Sequence, residues 1–317
     1  MTGNQVTVVF GSDENYARPM TVAARSVLDT LDPAYRLRLC ILDMGISVST
    51  KALVTKSVAS PRVELLWVDT LQERVRGLPT NWGFISSAGY ARLFIPSVLP
   101  SDVSRALYLD CDVLVRRSVH ELYLSDMHGL PALGCQDSQS PFVSSTYAVP
   151  LWYRAGLAAG DPNINSDVLL MDLDLWRAED ITSEALRYLT DGRYHFAQDQ
   201  EAINAVLAGR CATVDPRWNQ QSEIFQRPYQ AIQAWSEETL DRVLTDPWIV
   251  HYSNTVKPWH YGDPHPRVDE WFEMLDRTAF SGWRPTWRRH VARRIRTSAR
   301  HRARSFGGGL LRRLRLR

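Results

Sequence analysis

The sequence predicts an α/β fold with a mainly parallel sheet flanked by helices, and three observations carry that prediction. Short apolar runs rich in β-branched residues, Val6–Phe10, Leu37–Leu42 and Val63–Val68, read as strands buried on both faces. Helical patterns fill the intervals, from about Ala17 to Leu31 and from Ser49 to Ser57, which gives β-α-β-α-β, the first half of a doubly wound sheet. A chain of 317 residues can bury a core of this kind amply.

After the first strand, Gly11-Ser12-Asp13-Glu14-Asn15-Tyr16 forms a polar turn ahead of the first helix, the arrangement of a nucleotide-binding crevice. No Gly-x-Gly-x-x-Gly or Walker A loop is present. Asp13 and Asn15 therefore stand equally as ligand contacts or as ordinary turn and capping residues. A helix over Ser86–Pro96, stopped by Pro96, carries Tyr90 and Arg92 toward the next strand. Arg92 is either a surface charge or a partner for anionic groups nearby.

Leu107–Val115 reads as one buried strand interrupted by Asp110 and Asp112. An unpaired ionised carboxylate is costly to bury, so the pair calls for cations, hydrogen bonds, protonation or a metal. Positions i and i+2 of an extended segment share a face, which lets both grip one hard cation at the strand's C-terminal end, where open α/β sheets bind ligands. The ordinary reading is that the two aspartates end a strand and cap a turn. A phosphatase of the haloacid dehalogenase type, with the first aspartate as nucleophile, is a rival; it expects Thr or Val where this chain has Leu114.

Arg116–Leu122 starts a short helix, and Pro131–Cys135 is a strand leading to Asp137. Residues 138–163 lack a clear period and are rich in Ser, Pro, Gly and Tyr, a composition that fits a lid or substrate loop. Asn163-Ile164-Asn165-Ser166-Asp167 precedes a strand at Val168–Leu170, and Asp174-Leu175-Trp176 opens a helix. Helices follow at 182–190, ending near Gly192, at 199–208 and near 237–244. Asp199 suits an N-cap, whereas Gln200 has no capping role. Trp248–Tyr252 is a short final strand, with His251 where it runs out and Lys257 six residues on.

The four cysteines, Cys40, Cys111, Cys135 and Cys211, are widely spaced with no Cys-x-x-Cys pair, which argues against a zinc finger or disulfide framework and for a reducing compartment. The N-terminal residues lack the basic and apolar regions of a signal peptide, and no stretch is long enough to span a bilayer. The net charge of +2 conceals an asymmetry: residues 1–283 carry −11, and residues 284–317, with 13 Arg and no acid, carry +13.

These pieces coincide with a family. The chain resembles the retaining glycosyltransferases of family 8 over roughly residues 5–262, through Val9-Phe10-Gly11-Ser12-Asp13-Glu14-Asn15-Tyr16, Tyr90-Ala91-Arg92-Leu93, the Leu107–Val115 stretch, Asn165-Ser166 before Val168-Leu169-Leu170, Asp199-Gln200, and His251 with Lys257-Pro258-Trp259-His260. The resemblance implies a GT-A-type, Rossmann-like domain over residues 1–265 that moves a hexose, galactose or glucose, from a UDP-sugar to a saccharide or glycolipid acceptor. It implies Mn²⁺ (Mg²⁺ being the alternative) held by Asp110, Asp112 and His251. Donor contacts are implied for Gly11, Asp13, Asn15, Arg92, Asp110, Cys111, Asp112, Asp137, Asn165 and Lys257, and catalytic positions for Gln200, Asp199 and Asn165. Gln200 is an amide and a poor nucleophile, which favours front-face substitution over a covalent intermediate. The chain departs from the family's pattern at Asn254, where relatives usually have glycine, at Asp167, where a small residue is usual, and at Phe84, where some carry histidine.

Residues 266–317 are expected to form a C-terminal helix and an Arg-rich tail. Trp283, Trp287, Val291 and Ile295 recur every fourth residue among arginines, which predicts a basic amphipathic helix over about 285–303, followed by the Gly307-Gly308-Gly309 hinge. Such a helix suits an anionic membrane surface, which places the chain in the cytoplasm at the inner membrane face. Nucleic acid is the rival partner for a basic tail, but no reading module accompanies it. A catalytically silent nucleotide-sugar-binding protein is the non-enzymatic alternative, and oligomeric state is not legible.

Overall fold

A computed structural model of the chain describes residues 4–69, 71–75, 78, 87–191, 199–207, 209–226, 233–288 and 291. The predicted first half is present as β1 (Gln5–Ser12), α1 (Ala17–Thr30), β2 (Arg36–Asp43), α2 (Val48–Val58) and β3 (Val63–Val68). Val6, Val8 and Phe10 pack on α1 residues such as Met20 and Val27, while Val9 joins Cys40 and Leu42 in a second cluster on the other face. Both faces of β1 are therefore apolar, which is why its sequence runs without polar alternation.

Next come α3 (Gln72–Val75), a 3-10 segment over Ser87–Phe94, α4 (Ile95–Val98) and β4 (Arg105–Leu109). The expected single helix ended by Pro96 is corrected: Pro96 lies in the first turn of α4, where its missing N–H leaves no helical bond unmade. The chain continues through β5 (Val113–Val115), α5 (His120–Tyr123), β6 (Ala132–Gln136), β7 (Ile164–Asp172), α6 (Leu173–Ala178), α7 (Ile181–Thr190) and α8 (Asp199–Leu207). It closes with β8 (Cys211–Thr213), β9 (Gln220–Gln221), α9 (Glu237–Thr245), β10 (Ile249–His251) and α10 (Val268–Asp276).

Seven strands form the main sheet in the order β3-β2-β1-β4-β7-β6-β8. Pairings are parallel except on the two sides of β7. The run Leu107–Val115 is not one strand, as its composition suggested, but two strands in two sheets. β4 stops at Leu109, and β5 pairs antiparallel with β10 in a three-stranded sheet of order β5-β10-β9. Asp110 and Asp112 occupy the step between the sheets, where side chains from both can reach them. The backbone there stays satisfied: Asp110 N donates to Asp167 O at 2.8 Å, and Tyr252 N donates to Asp112 O at 2.9 Å.

β7 is longer than its apolar centre indicated, so Asn165, Ser166 and Asp167 are strand residues. Segment 138–163 is not structureless: a Phe142–Pro162 bridge closes it, Trp152–Ala155 forms a 3-10 turn, and Val143, Val149 and Leu157 bury against Ala205 of α8. α10 backs the small sheet, with Trp271 and Leu275 packed on Leu114, Val250 and Tyr252. Trp283 lies beneath the Arg18 guanidinium, 4.0 Å from its carbon. Trp287, Arg288 and Val291 are helical. The remainder of the expected tail helix, the glycine hinge, Gly192 and Phe84 lie outside the described residues. Among the described residues no helix is long and apolar enough to cross a membrane.

Candidate active site

Asp110 and Asp112 leave the main sheet at the C-terminal end of β4, and the β5–β10 register sets His251 opposite Val113, the residue after Asp112. One ligand atom from each of Asp110, Asp112 and His251 lies within 4.8 Å of the others, and His251 Nε2 is 3.3 Å from Asp112 Oδ1. Two hard carboxylate oxygens and one imidazole nitrogen are a donor set that fits a first-row divalent cation.

Two basic residues brace this cluster. Lys257 Nζ donates to Asp112 Oδ2 at 2.6 Å and to the Tyr252 carbonyl at 2.7 Å. Arg92 is buried, not a surface charge. It donates to Asp110 Oδ1 at 2.9 Å, Asp167 Oδ1 at 3.0 Å and Ser166 Oγ at 2.8 Å. Its Nε lies 2.6 Å from Asp199 Oδ2 while the Nε–H itself donates to the Gly89 carbonyl, so the Asp199 contact is one of charge rather than an aligned hydrogen bond. The guanidinium also rests 4.4 Å from the Tyr108 ring centre, and the Tyr108 hydroxyl donates to Asp110 at 2.8 Å. With all four carboxylates ionised and His251 neutral, as ligation would require, Asp110, Asp112, Asp167 and Asp199 outnumber Arg92 and Lys257 by two charges, a surplus that one divalent cation would balance.

The two aspartates of the motif ionise differently. Burial, reinforced by Asp167 and Asp112, pushes the Asp110 carboxyl up against the pull of Arg92. Burial acts the same way on Asp112, but Lys257 and His251 outweigh it and hold that carboxylate low. Burial alone would lower His251; the carboxylates of Asp112, Asp167 and Asp110 instead carry it up to about 9.

A second polar group lies behind the first. Asp137 Oδ2 accepts from Asn165 Nδ2 and from Gln200 Nε2, both at 3.1 Å. Gln200 Oε1 in turn accepts from Ser166 N at 3.2 Å. α8 is held on β7 by Asn204, whose side chain bonds both the N–H and the carbonyl of Ile164 at 2.8 Å, which fixes where Asp199 and Gln200 begin their helix. Gly11, Asp13 and Asn15 sit apart at the end of β1. Cys111 Sγ donates to the Gly11 carbonyl at 3.1 Å and ties that end to the acidic pair. Asp13 caps its turn, accepting from Asn15 N at 2.9 Å and Tyr16 N at 3.0 Å, as its ordinary reading anticipated.

Sequence reasoning missed three participants. Asp167 reads in the sequence as a departure from the family's pattern, Tyr108 as part of an apolar run, and Asn219 carries no site reading at all. An acid directly before the apolar run Val168–Leu170 was the usable signal for Asp167; nothing local marked Asn219.

The glycosyl transferase family 8 model matches residues 7–263. General stress protein A of Bacillus subtilis is 25% identical over 281 residues, covering 86% of this chain and 94% of that protein. The lipopolysaccharide 1,3-galactosyltransferase of Salmonella typhimurium is 26% identical over 212 residues, covering 63% of this chain and 57% of its own length. Among solved structures, the galactosyltransferase LgtC in complex with donor and acceptor sugar analogs superposes with a TM-score of 0.72 at 28% identity, covering 86% of this chain and 96% of that one.

Proposed function

This chain belongs to glycosyl transferase family 8, and from that premise we propose that it is a retaining hexosyltransferase that moves galactose or glucose from a UDP-sugar to a saccharide or lipid-linked acceptor. Mn²⁺ held by Asp110, Asp112 and His251 is the proposed cofactor, with Mg²⁺ as the alternative. The observation that carries the reading is the convergence of those three side chains from two sheets, with a lysine alongside.

A bound divalent cation would supply positive charge for the leaving diphosphate. The chain's own residues complete the chemistry. Lys257, beside Asp112, is placed to share that charge. Gly11, Asp13, Asn15 and Cys111 line the end of β1 for the uridine portion, and Arg92 holds the aspartates in register. A double displacement would need a free carboxylate against the sugar, yet Asp199 is paired to Arg92 and Asp137 is bonded by two side-chain amides. These pairings favour front-face substitution, in which the leaving phosphate takes the proton of the incoming hydroxyl while Gln200 or Asn165 stabilises the cationic sugar. A glycosyl adduct trapped on Asp199 would overturn this route.

We further propose residues 1–265 as the transferase domain and residues 266–317 as a C-terminal helix and basic tail that attaches the protein to an anionic membrane face in the cytoplasm. A panel of UDP-hexoses incubated with Mn²⁺ tests the reaction. UDP release that needs the ion and falls about 10³-fold in Asp112→Ala supports it. Aspartyl-phosphate at Asp110 would point instead to a phosphatase, and UDP binding without turnover to a silent binding protein.

A further inference from the structure

His251 has two ring nitrogens, and only the one without a proton can donate a lone pair to a cation. Nε2 faces Asp112, while Nδ1 meets Asn219 Oδ1 at 2.9 Å. Which nitrogen carries the proton of the neutral ring is decided by a chain of buried amides whose direction can be worked out from its fixed ends. Asp137 is a carboxylate and can only accept at Oδ2, so Asn165 must present its NH₂ there. The backbone N–H of Asp167 can only donate, and it meets Asn165 Oδ1 at 3.0 Å, which sets the same orientation independently. Asn219 must then offer Nδ2 to Asn165 Oδ1, at 2.8 Å, and turn its own Oδ1 to His251. An oxygen there requires a hydrogen on Nδ1.

We propose that Asn219 is a positioning residue: it closes a one-way chain from Asp137 through Asn165 to His251 that holds the imidazole as its Nδ1–H tautomer and leaves Nε2 as the donor toward the aspartate pair. Every member is buried, so water does not compete for these bonds. Local structure puts Asn219 in place. Asp215 caps the 3-10 turn Pro216–Asn219, and the next two residues pair with Val250 and His251 as strand β9. The same chain starts at the carboxylate that orients Gln200, so the metal-ligand side and the sugar side of the site share one hydrogen-bonded frame. A ligating histidine whose other nitrogen is held in this way is a stronger and better oriented ligand.

This inference rests on the proposed cation site, and the test separates the two. Free Mn²⁺ is measured by electron paramagnetic resonance as the ion alone is titrated into full-length wild type, Asn219→Leu and Asn219→Asp, with thermal unfolding as a check on folding. Folded Asn219→Leu is expected to bind Mn²⁺ about 10- to 100-fold more weakly. Asn219→Asp keeps an oxygen on Nδ1–H and should stay within about threefold of wild type, although it loses the bond to Asn165; a merely structural role predicts the reverse ranking. Equal affinity in wild type and folded Asn219→Leu overturns the proposal, as does equal loss in both folded variants. Nitrogen-15 spectra of the metal-free wild-type ring at pH 10 decide the tautomer without any variant: a protonated Nδ1 supports the proposal and a protonated Nε2 overturns it. If wild type takes up no Mn²⁺, the cation reading itself fails, and the ring spectrum still reports on the amide chain.

Discussion

Arg92 shows how much one side chain can hold. Its guanidinium contacts Asp110, Asp167 and Asp199, a geometry that needs the planar fork of arginine rather than the point charge of lysine. Arg92→Met leaves three carboxylates without their shared cation and is expected to destabilise the fold by about 3–5 kcal/mol, read from urea unfolding. His265 makes the opposite kind of contribution. It accepts from Arg267 N at 3.1 Å through Nδ1 and packs edge-on against Tyr252, so the folded state wants it neutral. Burial, with Arg267 and His251 adding to it, lowers its pKa to about 4. The unfolded chain takes up a proton near pH 6.5, so this contribution is complete above that value and is lost as pH falls through about 4. His265→Phe should flatten the dependence of melting temperature on pH across that window, and an unchanged slope would contradict the assignment.

At the scale of elements, the β6–β7 pair shows how backbone geometry places a site residue. The register shifts between Gly134, which faces Leu169, and Cys135, so that Cys135 faces Asn165 rather than Val168. A Cβ on Gly134 would collide with the Ile164 Cγ2 methyl and crowd the Asn165 carbonyl. Gly134→Ala should cost about 1–3 kcal/mol in chemical unfolding and weaken Mn²⁺ binding by disturbing Asn165. The strands themselves were legible from apolar runs, because a strand covered by a layer on each face favours apolar side chains on both. Their assignment to sheets was not. Leu107–Val115 reads the same whether one strand or two, since the partner of β5 is β10, far along the chain, and no local pattern encodes that pairing. The motif residues Asp110, Asp112 and His251 come together in space, yet Asp167 and Asn219 join them only through long-range packing.

For the whole molecule, an acidic body carries a basic C-terminal segment that begins by packing on that body. Trp271 and Leu275 are fully buried, Arg277 pairs with Asp29 at 3.0 Å, and Trp283 sits under Arg18. Truncation after residue 282 would therefore cut into packed structure, and a chain ending at Arg288 is the cleaner comparison. The full-length chain should sediment with anionic vesicles and be released by salt, whereas the shortened one should stay in solution. Equal sedimentation of the two would remove the tail's proposed role.

At the centre of the proposed chemistry is a single ion shared by carboxylates from the C-terminal end of β4 in one sheet and an imidazole from β10 in another. The electron spin-echo spectrum of Mn²⁺ bound to the full-length chain examines that sharing most directly. It should show one ion per chain with nitrogen modulation from a directly bound imidazole, and that modulation should vanish in His251→Ala. An ion whose spectrum carries no nitrogen signal, or keeps it unchanged in the variant, would contradict the account.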